Sequence, residues 1–200
     1  SILQATKSKC FKDVFISTDS LKIANISKKY GAKVVFLRSK KLSGSKVSKF
    51  YVWKDALEKI EKFLNRKIKY FFDLDCTNPI RDLSDIRNIL KMMKENKKID
   101  GVITVAESRK NPYFNMLEIN NRCISLVKKA SKEVVARQKS PRVYDMNASI
   151  YIWKRDKLFK SKNLLQKSLS IYEMSQEKSV DIDTKLDLRI NEILIKKFNV

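Results

Sequence analysis

The sequence contains no histidine, so its chemistry has to run on carboxylates, lysine and arginine, hydroxyls, backbone amides or a metal held by oxygen. Two carboxylate pairs have suitable spacing. Asp73 and Asp75 alternate within KYFFDLD, and residues two apart on a strand share a face. Asp75, at the end of that run, is the more open to a ligand; Asp73 reads as a hydrogen-bonding residue at the edge of the core. Asp181 and Asp183 flank Ile182 just before a helical run. Such a pair can hold a hard cation such as Mg²⁺. It can equally be a helix cap, because Asp183 precedes Thr184 and both residue types cap helices. Spacing alone favours the cap. Neither G-x-G-x-x-G nor G-x-x-x-x-G-K-[ST] occurs, so no glycine-rich phosphate loop is present.

The elements that must position these groups follow from apolar periodicity and sparse punctuation. Residues 1–9 read as the end of an amphipathic helix, and 13–17 (DVFIS) as a short strand. Asp19 or Ser20 then caps a helix that stops at Gly31. KVVFL (33–37) reads as a buried strand, 47–65 as a long helix, 69–75 as a strand, 85–96 as a helix capped by Asp82 or Ser84, and 101–105 as a strand. This alternation predicts a parallel α/β sheet with right-handed crossovers. After residue 106 the pattern becomes β-rich, with strand-like NPYFNMLEI, CISLVKK and VYDMNASIYIWKR. SIYEM (170–174) reads as a last strand and 184–198 as a closing helix. In open α/β sheets ligands bind beyond the carboxyl ends of strands. That rule singles out Ser17 to Asp19, Leu37-Arg38, Asp73 to Asp75 and Thr104 to Glu107.

The 200 residues suit one domain with a full core. The net charge of +22 raises the question of nucleic acid. The excess is 34 lysines against 10 arginines, spread along the chain, without an RNP signature or recognition-helix motif. It reads as a solvated lysine-rich surface, whose field also suits small anionic substrates. Cys10, Cys76 and Cys123 are odd in number and widely spaced, which argues against a disulfide framework or zinc cage and fits a reducing, cytoplasmic setting. No apolar run reaches the roughly 20 residues of a membrane span, and no signal peptide is visible. Neither a nucleic acid nor a membrane is an expected partner.

Four segments, in order, resemble the acylneuraminate cytidylyltransferases (CMP-sialic acid synthetases). They are VFISTDSLKIANISKKYGAKVVFLR, DLDCTNPIRDLSDI with its T-[SN]-P-[LI]-R signature, RQKSPRVYDMNASIYIW, and SVDIDTKLDL. Together they span nearly the whole chain. DLD, SRKNPYFNM and YDMNASIYIWKR are most similar to the branch that activates legionaminic acid and related bacterial nonulosonic acids. The resemblance implies a three-layer, mostly parallel α/β sheet with a Rossmann-like nucleotide-sugar transferase core. It also implies a small β-rich dimerisation insertion at approximately 109–145, and hence a homodimer. The implied reaction transfers CMP from CTP to a nine-carbon α-keto acid sugar and releases pyrophosphate, for surface glycan biosynthesis.

The same resemblance implies roles for individual residues. Asp181 and Asp183 carry Mg²⁺, which reverses the preference from spacing, although Asp183 could also cap. Arg137 meets the sugar carboxylate, where a guanidinium binds bidentately. Arg38 and Ser48 lie in the nucleotide-contacting stretch. Thr77, Asn78, Asn147 and Tyr151 line the sugar pocket, Tyr151 otherwise being a core tyrosine. Asp75 stands where most sialic-acid members have a glutamine, so both a sugar contact and a third metal ligand are open to it. The family's N-terminal A-R-x-G-S-K loop, which grips the CTP phosphates, has no counterpart here. Residues 1–200 are therefore expected to be a cytidylyltransferase domain lacking its first strand and phosphate loop, and to be poorly active. Ser45 and Phe114-Asn115 also depart from the family pattern. The competing readings are activation of pseudaminate or 3-deoxy-manno-octulosonate, an inactive remnant, and a basic nucleic-acid-binding module.

Overall fold

The computed structural model describes residues 1–129 and 136–198. Residues 130–135, inside the expected insertion, lie outside the described residues, as do 199–200.

Helix α1 spans Ile2–Ser8 and α2 spans Leu21–Lys29. The Ser20 side chain caps α2 by accepting from the Ile23 amide at 3.3 Å. At the other end Gly31 takes φ +89°, a conformation that suits a residue without a Cβ. Its amide bonds Lys28 O at 3.0 Å while Ala32 N bonds Ser27 O at 3.1 Å, which closes a Schellman motif. Helix α3 (Lys49–Leu64) is capped by Ser48, and α4 (Leu83–Glu95) by a capping box between Asp82 and Asp85.

Strands β1 (Tyr70–Leu74), β2 (Gly101–Glu107), β5 (Tyr144–Lys154) and β6 (Leu169–Glu173) form a sheet in the order β1-β5-β2-β6. β1, β2 and β6 run the same way; β5 lies between β1 and β2 and runs against both. The simple parallel alternation expected for the first half is thus interrupted by a strand from the second half. β3 (Leu117–Asn120) and β4 (Cys123–Leu126) make a separate hairpin. Helix α5 (Arg155–Lys160) follows β5 directly, and α6 (Lys185–Phe198) closes the described chain. The short α5 was not expected.

The segments 13–17 and 33–37 are not regular strands. They meet in one parallel bridge, Phe15 to Lys33, and their apolar side chains are only half-buried or exposed. A strand needs a neighbour along its length; among the described residues each of these has the other at one point only.

The core occupies both faces of the sheet. Phe50, Trp53 and Leu57 of α3 and Leu158 of α5 pack with Ile103, Val105, Tyr151 and Trp153 on one face. Ile86, Ile89 and Met93 of α4 pack with Val102, Ile150 and Ile152 on the other. The result is three layers, helix on sheet on helix. Where β2 starts between β5 and β6, a Cβ on Gly101 would lie 2.6 Å from the Ile152 carbonyl oxygen, so only glycine fits.

Candidate functional site

The site is built where β1 ends against an irregularity in β5. Pairing of β2 with β5 is regular through Ile103–Tyr151 and resumes at Val105–Met146, leaving Asn147 to Ile150 opposite Thr104 alone. Thr104 repairs the ladder with its side chain. Its Oγ1 donates to Ile150 O at 3.1 Å and accepts from Ile150 N at 2.9 Å. Ala148 takes φ +51° within this bulge. Bulges re-aim side chains, and this one projects two polar groups. Asn147 Nδ2 donates to Ser179 Oγ at 2.8 Å, and Ser149 Oγ accepts from Arg81 Nε at 3.1 Å.

Arg81 ends the TNPIR segment and is 1% exposed. It donates to Asp75 O at 2.5 Å and also to Asn78 O, so it staples the turn after β1 to the bulge. Burial lowers its pKa to about 10. Among the described residues it has no carboxylate ion pair; carbonyls and hydroxyls satisfy its guanidinium.

Asp73 and Asp75 do share a face, and Lys49 sits between them. Its Nζ lies 2.7 Å from Asp73 Oδ2 and also bonds Asp75 Oδ2. The ammonium stands over the Tyr151 ring at 4.9 Å. Burial pulls the Lys49 ammonium down, but Asp73 and Asp75 outweigh it and hold it above the usual lysine range. Burial pushes Asp75 up, yet Lys49 and two bonds from Thr77, both 3.1 Å to Oδ1, leave it below the usual carboxylate range. Lys49 is the first residue of α3, where a cation opposes the helix dipole at a cost of about 0.3–1 kcal/mol. That misfit is the signal in the sequence that could have found it.

Asp181 reaches the same place along the chain before α6, whose approach is fixed by Ile182 N bonding Thr77 O at 2.8 Å. Burial pushes the Asp181 carboxyl up, with Asp183 and Asp75 adding to the effect. Asn78 is fully buried and close enough to oppose this, yet neither its two amide atoms nor Asp181 Oδ1 makes a well-formed hydrogen bond. The cap that was open to Asp183 falls to Thr184 instead. Thr184 Oγ1 accepts from Asp187 N at 3.2 Å, and the Asp187 carboxylate accepts from Thr184 N at 2.8 Å and from Asp183 N at 3.3 Å. Thr184 and Asp187 cap α6 reciprocally, and the Asp183 side chain makes no hydrogen bond or ion pair among the described residues.

Asp75, Thr77, Asn78, Tyr151 and Asp181 therefore gather around Lys49. Asn147 and Asp181 line an adjoining cleft of about 270 Å³, together with Glu107, Arg109, Met146 and Gln176. Arg137 lies by the end of β2, donating to Ser108 O at 3.0 Å. Arg38 and Ser48 are engaged in local structure. Arg38 Nε donates to Ser43 Oγ at 3.1 Å and its Nη2 is 3.7 Å from Asp19. The Ser48 hydroxyl accepts from Phe50 N at 3.3 Å. Lys49, Arg81 and Ser149 are the contributors that sequence reasoning gave no role. No three Asp, Glu, Cys or His side chains form a metal cage among the described residues. Two carboxylates with uncommitted oxygens still suit a hard cation that completes its shell with water and phosphate. All three cysteines are free, and no described helix is long and apolar enough to cross a membrane.

Known proteins resemble this chain along its length. The sequence profile of the cytidylyltransferase family matches residues 1–198. The chain is 40% identical over 200 residues to a CMP-N,N'-diacetyllegionaminic acid synthase of Campylobacter jejuni, covering all of this chain and 84% of that protein. It is 39% identical, with the same coverage, to post-translational flagellin modification protein B of Campylobacter coli. Among solved structures, a CMP:2-keto-3-deoxy-manno-octonic acid synthetase complexed with CTP superimposes with TM-score 0.66 at 14% identity, over 98% of this chain and 85% of that one. A 4-diphosphocytidyl-2C-methyl-D-erythritol synthase from Anaerococcus prevotii gives 0.62 at 13%, over 96% and 88%. At such identities these two speak for the fold. With a family match over almost every residue, the chain belongs to the cytidylyltransferase family.

Proposed function

We propose that this chain transfers CMP from CTP to a nonulosonic acid of the legionaminic or sialic type. The anomeric oxygen bonds to the α-phosphorus, its proton is released, and pyrophosphate leaves. The observation that carries this reading is full-length identity near 40% to a relative named for CMP-N,N'-diacetyllegionaminic acid synthesis. The site is compatible with it. Asp181 and Asp183 would hold Mg²⁺, because Asp181 Oδ1 is buried without a partner and Asp183 is released from capping by Thr184. When bound, the ion supplies charge neutralisation at the α-phosphate. Arg137 spends one N–H on Ser108 O, which leaves donors for the sugar carboxylate. Asn147, which lines the cleft, and Tyr151, beneath the Lys49 ammonium, would serve the sugar, and Arg38 and Ser48 the nucleotide. The test is CMP-sugar formation from CTP, with and without Mg²⁺, across legionaminic, sialic, pseudaminic and 3-deoxy-manno-octulosonic acids. Turnover of the last alone would overturn the assignment.

The working form is a homodimer in the cytoplasm. The β3–β4 hairpin exposes Leu117, Ile119 and Ile124 at 64, 73 and 69%, an apolar surface that a second copy would cover. Light scattering on Ile119→Lys/Ile124→Lys should give a monomer; an unchanged dimer would place the interface elsewhere.

A further inference from the structure

The cluster of Lys49, Asp73 and Asp75 contains two residues that the reading above leaves without a task. Lys49 has three donors. Nζ pairs with Asp73 Oδ2 and Asp75 Oδ2. Asp75 is nearly saturated, because its Oδ1 already accepts from the Thr77 amide and hydroxyl. Asp73 is different. Its Oδ2 lies 2.7 Å from Lys49 Nζ in an ion pair without well-formed hydrogen-bond geometry, its Oδ1 has no hydrogen-bond partner among the described residues, and the side chain is 25% exposed. One carboxylate oxygen is thus fixed in direction by an ion pair and left open.

A second underused polar group lies in the turn that follows β1. Asn78 is 0% exposed, and its amide approaches Asp181 without making a well-formed hydrogen bond. Buried amides are ordinarily bonded, and the approach of Asn78 to Asp181 leaves amide capacity that no well-formed bond within the described residues fills.

We propose that Asp73 and Lys49 belong to the sugar site, Asp73 reading a hydrogen-bond donor on the sugar acid and Lys49 acting as the positioning residue that aims it. This rests on the cytidylyltransferase reading. An ionised carboxylate accepts from a hydroxyl or an acylamino N–H and repels an anion. The sugar carboxylate therefore lies away from this cluster, and the part facing β1 carries donors. Lys49 is needed because two carboxylates two residues apart on one strand repel, and without the shared ammonium they would turn apart.

The experiment measures kcat and KM for CTP and for two sugar acids, N,N'-diacetyllegionaminic acid and 2-keto-3-deoxy-manno-octonic acid, which lacks acylamino groups. Asp73→Asn and Lys49→Met should each raise KM for the legionaminic acid about tenfold, with KM for CTP changed less than about twofold. The preference between the two sugars should shrink about tenfold, since a site that accepts a hydrogen bond discriminates against analogues without the donor. Lys49→Arg should retain most of the preference. A structural ion pair would lower thermal stability and leave the sugar preference unchanged, and that result overturns the proposal. If the wild type turns over neither sugar, the proposal that this chain by itself transfers CMP fails separately, while its family membership stands. Calorimetric binding of N,N'-diacetyllegionaminic acid alone then decides: weaker binding to Asp73→Asn supports the proposal, while equal affinity or no binding overturns it.

Discussion

Arg81 Nε donates to Ser149 Oγ at 3.1 Å, joining the turn after β1 to the bulge in β5. The same guanidinium holds the carbonyls of Asp75 and Asn78, so one buried side chain sets the shape of the site's floor. Arg81→Met would leave Asn78 O without its donor and Asp75 O with the Ser1 hydroxyl alone. The expected loss is about 2–3 kcal/mol of unfolding free energy. Arg81→Lys should also lose stability, because an ammonium cannot reproduce the planar fork. Urea unfolding measures both; a wild-type midpoint in the methionine variant would refute the staple.

The division of labour before α6 makes a sharp contrast. Asp183→Ala should change stability by less than about 0.5 kcal/mol, since the cap does not use its side chain. Thr184→Ala should cost about 1 kcal/mol, the usual price of a lost cap. Mg²⁺-dependent turnover should move in the opposite order, falling about 10²-fold or more in Asp183→Ala. Wild-type turnover in that variant would leave Asp183 without a function.

Asp181 should be a residue whose removal stabilises the metal-free protein. Burial and two neighbouring carboxylates disfavour its ionised form, and Oδ1 has no partner. Asp181→Asn keeps the shape and removes the charge. Its melting temperature without metal should rise by about 2–4 °C, corresponding to about 1 kcal/mol. Added Mg²⁺ should raise the melting temperature of the wild type and leave the variant unmoved. A drop in the variant would mean that Asp181 already has a stabilising partner.

Helix ends were legible because their signals are local. The cap of α2 could be read as Asp19 or Ser20 and its stop as Gly31 from a few neighbours, and the structure has Ser20 and Gly31 there. Strands were harder. DVFIS and KVVFL are apolar, but apolarity reports burial and says nothing about a partner strand, and these segments share one bridge. The position of β5 between β1 and β2 is set by packing between distant segments, which no local pattern encodes. The same limit applies to the site. Carboxylate spacing singled out Asp75 and Asp181, and motif resemblance singled out Thr77 and Asn78. Lys49 was missed because its partners lie 24 and 26 residues away, although a lysine at a helix start was a local misfit worth questioning. The cap was misassigned by one residue because Asp183 and Thr184 are both good caps, and only the bond from Asp187 N distinguishes them.

Acid sensitivity should come partly from the Glu61–Arg155 pair, which ties α3 to α5. Glu61 accepts from Arg155 Nε at 3.0 Å and Nη2 at 2.8 Å, and from the Ile68 amide at 2.9 Å. Burial pushes the Glu61 carboxyl up, but these bonds outweigh it and leave it below 4.5. The unfolded chain therefore binds the proton more tightly than the folded one. The resulting stability is fully present above the unfolded pKa of 4.5 and is lost as pH falls through the lower folded value. Glu61→Gln should cost about 1 kcal/mol at pH 7, a modest figure because solvent reaches the pair. The two proteins should converge once pH falls below the lowered folded value, where the wild type has also lost its charge. Urea midpoints measured from pH 7 to pH 3 test this, and a constant gap between the curves would assign the acid dependence to other carboxylates.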